Sequence, residues 1–460
     1  MASPLRRALG ALPLLLALGW ASPGLAAQNC TAAQRQAEAL LDAAMQGRAP
    51  LAQAAAAFEA LLAGGVEPCP DRAGLLESLA DALTSLGLER MEPALLRRAI
   101  LSYEEALALT PPEEARRRAQ RHNSQGTAQA LLGEITGDAA ALEAARASFE
   151  ASLPLFTRLG LRGEEAAARR NLGHAFTALG LLRGDAALLR QGAGAYRATL
   201  ALRPGRDTGA VQGERAEALL AAARLEHSPA LLREALAARD AERRARRRAA
   251  DAEGLALSWQ GRAHILILLG LWQAAEPAPQ PWRARLPWQA HWQAARVALF
   301  QAMTSLMAAE EPSPALMRRL LAESAWISQR LGAVERNPFL LAEALRVYAL
   351  LRDGPEGKGP EGKGPEGKSH PALLCEEAQA QARLGLITPG TRHLREADRL
   401  FPACDAPEAV AVAGRFHAGP QDAPPDEDIP ALRAAAAREL ALREQAARGG
   451  ARREARAVVR

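Results

Sequence analysis

The chain has 460 residues, a formal charge of +5 and a sequence pI near 9.4. Two of the positives, Arg6 and Arg7, lie in a segment expected to be removed, which leaves about +3 (+5 less two), too little by itself to mark a nucleic-acid-binding protein. Aromatics at 4% exclude a conventional aromatic core, and no stretch alternates β-branched residues as a sheet would. Ala and Leu at helical spacing point instead to tightly stacked helices. The lysines, Lys358, Lys363 and Lys368, all fall in one low-complexity tract, so Arg supplies every other strong base. Codon bias accounts for this more simply than selection for phosphate recognition.

Residues 1–27 read as an export signal. Arg6 and Arg7 form a charged start, residues 8–20 an apolar run too short to span a bilayer, and "GLAA" at 24–27 a small-residue cleavage site after Ala26 or Ala27. An exported, periplasmic protein follows as the expectation. An even number of cysteines, Cys30, Cys69, Cys375 and Cys404, then suggests disulfides. Three pairings are open. Cys30–Cys69 and Cys375–Cys404 are favoured, because each brackets one predicted helical hairpin. No C-x-x-C or close His spacing supports a zinc site, so no metal and no cofactor is expected.

Residues 28–70 form a capping hairpin, with helices expected within 31–63. From 71 to 275 the sequence repeats itself at a period of 43–47 residues. Leu142 falls on Leu96, Ala145 on Ala99, Phe149 on Tyr103 and Leu153 on Leu107. The small residues Ala80, Gly126, Gly173, Ala216 and Gly261 recur in step, where two helices must cross closely. Each copy reads as two helices. In one, "RNLGHAFTALG" places Leu172, Gly173, Phe176 and Leu179 on a single face, and Leu189, Ala193, Tyr196 and Leu200 follow before Pro204. The residues added beyond a minimal hairpin are expected between the helices, at "LLRGDAALLR" and "EITGDAAALE", and after the second helix at "GRDTGAVQ".

Leu172-Gly173, Phe176, Gly180, Ala193, Tyr196, Leu200 and Pro204 resemble the tetratricopeptide repeat (TPR) pattern, over roughly residues 31–272. The resemblance is best at Gly126 and Gly173 and poorest at Ala216, where Arg239 and Arg243 replace the aromatic and the Leu. It implies an all-α fold: a right-handed α-α superhelix of TPR-like helical hairpins with a C-terminal helical extension. It also implies a concave groove lined by the first helix of each pair. Counted three before, two before and one after each small residue, the groove residues are Asn123, Ser124 and Thr127; Arg170, Asn171 and His174; Gly213, Glu214 and Glu217; and Ser258, Trp259 and Arg262. Such a polar lining suits an extended peptide, whose backbone needs side-chain amides and hydroxyls. The family's carboxylate clamp is not expected. Only Asn171 matches it, Lys is absent from the array, and Thr127 and His174 stand where Asn would be needed.

Past the array, "EPAPQPWRARLPW" is Pro-rich. A helical region, 283–353, carries helices near 288–308, 313–331 and 337–352. A polar GPEGK tandem fills 354–368, a Cys-bracketed hairpin 369–405, and an acidic Pro-rich linker 406–430. A basic helix and tail occupy 431–460. Trp259, Trp272, Trp282, Trp288 and Trp292 cluster where the array ends, as packing residues. "RDAERRARRR", 239–248, is a basic helix face suited at most to weak contact with an anionic surface.

No catalytic motif is present: no phosphate loop, no H-E-x-x-H and no G-x-S-x-G. Glu323-Ser324 resembles the Glu-Ser pair of lytic transglycosylases, but the Gly-Leu-Met-Gln segment of that family does not follow. His174 reads as a groove histidine and not a catalytic one. The expected function is an exported, non-enzymatic scaffold or adaptor that binds a protein or peptide partner, with no nucleic acid and no transmembrane segment. The alternatives are a cell-wall enzyme that uses the superhelix as a substrate guide, or a structural periplasmic spacer.

Overall fold

In the computed structural model, the described residues are 25–63, 71–202, 208–275, 287–353, 371–405 and 429–458. Most of the export segment, Cys69, the GPEGK tandem and nearly all of the acidic linker lie outside them. So does the Cys30 side chain, and with it the Cys30–Cys69 pairing.

The chain is all-α among the described residues. In order the helices are α1 Leu25–Met45, α2 Leu51–Ala63, α3 Arg72–Arg90, α4 Pro93–Ala108, α5 Ala115–Thr136, α6 Ala139–Arg158, α7 Arg162–Arg183, α8 Ala186–Leu202, α9 Thr208–Glu226 and α10 Pro229–Arg248. Then follow α11 Ala252–Ala275, α12 Pro287–Met307, α13 Pro314–Val334, α14 Pro338–Asp353, α15 Pro371–Ile387, α16 Arg392–Leu400 and α17 Ile429–Val458. The chain forms two compact units, Met1–Ala238 and Arg239–Arg460, which divide within α10.

Within the first unit, α1 to α9 pack in succession, each on the next. The odd-numbered helices also touch one another: α1 on α3, α3 on α5, α5 on α7 and α7 on α9. This is solenoid packing, with one helix of each hairpin (A) forming a continuous inner layer and the other (B) an outer one. In the second unit α11 to α16 pack in succession, α13 touches α15, and α17 lies on α15 and α16.

One packing rule builds these hairpins. A small residue on helix A meets an aromatic on helix B, and a glycine seven residues further on meets a leucine at the start of B. A Cβ added at Gly126 would stand 2.7 Å from the Phe149 ring, and one at Gly173 would stand 2.8 Å from Tyr196. The second contact recurs as Gly87 on Leu96, Gly133 on Leu142 and Gly180 on Leu189. The aromatics and leucines are buried, as are Ala99 and Ala145 between them.

The same contacts continue past residue 275, where the sequence period stops. Gly332 meets Leu341 and Gly385 meets Leu394. Ala325 packs with Ala344 and Tyr348, and Ala378 with Ala397 and Phe401. The segment read from sequence as a C-terminal helical region therefore contains two further hairpins of the same construction. Earlier in the second unit, Gly270 lies against Trp292, and Trp288, Trp292 and Trp326 stack edge to face or tilted, with centroids 5.1 and 6.3 Å apart. Of the clustered tryptophans, Trp288 and Trp292 are buried and serve as packing residues.

Between the paired helices the added length is not in loops, as the sequence suggested, and "GRDTGAVQ" lies partly outside the described residues. The helices themselves are long: α5 and α6 have 22 and 20 residues. Only Gly137 and Asp138 separate them. Gly137 takes the left-handed conformation that ends α5, and Asp138 caps α6 by accepting from the Ala140 amide at 2.8 Å. Gly184 and Asp185 repeat the device between α7 and α8. The Leu-rich runs before each Gly propagate the helix to its stop.

Cys375 on α15 and Cys404, in a 3-10 turn after α16, stand with their Sγ atoms 2.07 Å apart and their Cα atoms 4.7 Å apart. This is the favoured second pairing. No described helix is long and apolar enough to cross a membrane.

Candidate functional site

Because the A helices touch side by side, residues at matching positions can join across them, and they do. In the first unit the Asn171 amide donates to Asn123 Oδ1 at 3.1 Å, linking α7 to α5. Arg170 forms a two-pronged ion pair with Glu214 of α9, its Nε at 2.9 Å from Oε2. Glu214 also lies 3.6 Å from His174 Nε2. His174 packs edge-on to Tyr196 with centroids 5.5 Å apart. Ser124 and Thr127 are half-buried on the same helix as Asn123, with the Thr127 hydroxyl turned back to the Asn123 carbonyl. Glu217 is exposed. Thus Asn123, Ser124, Thr127, Arg170, Asn171, His174, Glu214 and Glu217 sit on one succession of A helices, while Gly213 is buried.

The same count from Ala80 gives Glu77, Ser78 and Asp81, which sequence reasoning did not include. Glu77 accepts from buried Arg121 Nε at 2.9 Å, and Asp81 accepts from the Tyr103 hydroxyl. Burial pushes the Asp81 carboxyl up to about 7, with Glu77 adding to the shift and the Tyr103 hydrogen bond opposing it. Glu134 on α5 is likewise raised by burial to about 7. His174 is moved the other way, below its ordinary value, mainly by burial and against the pull of Glu214.

In the second unit the register differs from the one counted from Gly261. Gly261 meets the Arg239 guanidinium of the preceding helix. Ser258 is fully buried and donates to the Arg239 carbonyl. Trp259 lies under Arg243, 4.2 Å from ring to guanidinium carbon, with Arg262 at 6.0 Å. Arg262 pairs with Asp240 at 3.0 Å. Trp259 and Arg262 therefore belong to the contact between α11 and α10. The crossing residue is Ala263, seven before Gly270, as Gly173 is seven before Gly180. Counted from it, the inward residues are Gln260, Gly261 and His264.

Those residues rebuild the first unit's rung. Gln260 Nε2 donates to Glu323 Oε1 at 2.7 Å, and His264 Nε2 lies 3.0 Å from Glu323 Oε2. Arg170, His174 and Glu214 correspond position by position to Gln260, His264 and Glu323. In each case a histidine four residues after its neighbour meets a glutamate from the next A helix. The sequence hid this pairing because the partners are 40 and 59 residues apart. Glu323 is 5% exposed with both oxygens engaged. Among the described residues no hydroxyl or thiol is bonded to either imidazole. No group of three or more His, Cys, Asp and Glu is placed to hold a metal ion.

The basic run on α10 is largely matched at home. Arg239 pairs with Glu242 at 2.7 Å, Arg243 with Asp240 at 3.3 Å and Arg246 with Asp251 at 2.5 Å. Arg244, Arg247 and Arg248 remain exposed.

No protein-family model matches the chain, and no curated protein matches its sequence. Among solved structures the chain is similar to a circular tandem repeat protein with novel repeat topology and enhanced subunit contact surfaces, at 16% identity and a TM-score of 0.30, covering 91% of each chain. It is also similar to the TPR domain of P58(IPK), at 15% identity and a TM-score of 0.22, covering 91% of this chain and 99% of that one. Neither superposes closely, and the all-α solenoid assignment rests on the chain's own packing.

Proposed function

We propose that this protein is an exported, periplasmic scaffold that binds a protein or peptide partner along the A-helix face of its first unit. The observation that carries this reading is the pair of cross-helix links, Asn171 to Asn123 and Arg170 to Glu214. They fix polar side chains before any partner arrives, so little ordering entropy is lost on binding. Half-buried amides and hydroxyls beside them match the needs of an extended backbone.

A photocrosslinking residue placed at Thr127 or Glu217, on the inner helices, and at exposed Leu101, on the outer helix α4, tests it in cells. A partner crosslinked from the first two and not from Leu101 is the expected result. Capture from Leu101 alone, or equally from all three, overturns the groove. Cytoplasmic retention of the chain on fractionation overturns the compartment.

A further inference from the structure

In the second unit α12 is the outer helix of the hairpin α11–α12, and its solvent face carries no charge. Its exposed residues are Ala290, Val297, Phe300, Thr304 and Met307. The other outer helices of this unit all expose arginine: Arg244, Arg247 and Arg248 on α10, Arg346 on α14, and Arg392, Arg395 and Arg399 on α16. Val297, Phe300 and Met307 are 58%, 62% and 72% exposed. With Thr304 they follow one another at spacings of three, four and three, which sets them in one stripe along the helix. Arg296 of α12 reaches Glu343 of α14 at 2.6 Å, so α14 lies alongside, and it adds exposed Phe339 and Leu350. These five large apolar side chains leave roughly 600 Å² uncovered, a patch of the size that marks a docking surface. Two copies of it bring together about 1,200 Å², the low end of a stable interface.

The stripe is its own complement. Its spacing reads the same in both directions. An antiparallel copy turned about a two-fold axis level with Ala302 sets Val297 against Met307 and Phe300 against Thr304, because both pairs are centred there. The bulkiest member then meets the smallest, as ridges fitting into grooves require. Thr304 loses no hydrogen bond when buried, since its hydroxyl donates to the Phe300 carbonyl at 2.9 Å. The same axis sets Arg296 against Ala308 and Glu310 against Ala294, so no like charges meet. Two nearby stretches of this chain fit the stripe less well. The GPEGK tandem has no large apolar side chain to offer. Residues 276–286 leave from the end of α11 and return to the start of α12. A run of that length, going out and back, reaches about 19 Å, whereas Met307 stands about 30 Å along α12.

We propose that α12 is the contact helix of a homodimer, in which two copies of this chain pack antiparallel through Val297, Phe300, Thr304 and Met307. The contact belongs to the second unit and does not depend on a partner bound to the first unit's inner face.

Sedimentation equilibrium of the purified mature chain tests this. The weight is expected to rise to that of a dimer between about 1 and 100 µM chain. Phe300→Glu is expected to hold it at the monomer, with an unchanged circular dichroism spectrum. Should that variant fail to fold, Met307→Lys carries the same expectation. Cysteine crosslinking tests the register. Within one chain positions 297 and 307 are about 15 Å apart along the helix, too far for a disulfide. The double variant Val297→Cys with Met307→Cys is therefore expected to give a covalent dimer on mild oxidation, and Val297→Cys alone to give none. A covalent dimer from Val297→Cys alone overturns the antiparallel axis. A monomer at every concentration overturns the dimer. Flotation of that monomer with phosphatidylcholine vesicles would assign the patch to a lipid surface instead, and dimerisation only after deletion of residues 406–428 would assign it to that segment.

Discussion

The two units place a polar rung at the same positions of the same hairpin and bury its carboxylate to different depths. In the first unit Arg170 and Glu214 are paired with their side chains 20% and 16% exposed, so water still reaches the pair. In the second unit Gln260 and His264 hold a Glu323 whose side chain is 7% exposed. The hairpin geometry thus does not decide whether an inward polar group is wet or dry. A wet rung is cheap to alter and free to meet a partner. A dry one is costly to alter and holds its helices together.

The largest expected effect follows directly. Glu323→Ala leaves the Gln260 amide and His264 without their shared acceptor and should cost about 3 kcal/mol. Glu214→Ala, with solvent at hand for Arg170, should cost about 1 kcal/mol or less. Urea unfolding separates the two. Every tryptophan after the export segment (Trp259, Trp272, Trp282, Trp288, Trp292 and Trp326) lies beyond Ala238, so fluorescence follows the second unit and far-ultraviolet circular dichroism follows both. Equal costs at the two glutamates would break the comparison.

A second contrast lies within the first unit. Gly173→Ala drives a methyl group into the Tyr196 ring and should destabilise by about 1–3 kcal/mol. Gly194, in α8, has no heavy atom within 4 Å of an added Cβ. Gly194→Ala should stabilise by about 0.5–1 kcal/mol through helix propensity. The midpoints of the dichroism transitions give both signs. A neutral Gly173→Ala would remove the close crossing as the basis of the hairpin.

These effects also mark what was legible in the sequence. Gly126 and Gly173 could be picked out because close crossing leaves a local signature, a small residue with an aromatic 23 positions later. The later copies keep that signature in Ala325 with Tyr348 and Ala378 with Phe401. They are invisible to a fixed period because Ala263, Ala325 and Ala378 stand 62 and 53 residues apart. Register failed at Gly261 for a related reason. Glycine there makes room for Arg239 of the preceding helix, so a small residue alone does not say which neighbour it admits. Asn123, Asn171 and Glu214 could be placed on the inner face, but their pairings could not, since cross-helix partners carry no shared local pattern. Glu77 and Asp81 were within reach of the same count started one repeat earlier.

The smallest expected effect is one of pH, and it belongs to the first unit. The Glu134 carboxyl is raised from 4.5 to about 7 by burial, and its Oε2 has no partner. The folded chain then holds a proton at Glu134 that the unfolded chain has released, over the window between those values. Stability contributed by this group is full below about 4.5 and falls as pH rises to about 7. Asp81 slopes the same way, from 3.8 to about 7. His174, lowered by burial, slopes the other way, its stability being lost as pH falls. Glu134→Gln keeps the neutral shape at every pH. It should match the wild type near pH 4 and exceed it at about pH 8 by on the order of 1 kcal/mol. The change should appear in the dichroism transition of the first unit and leave the tryptophan-reported midpoint where it was. A gain at both pH values would mean that packing at Glu134, and not its ionisation, sets the cost of keeping a carboxylate on that face.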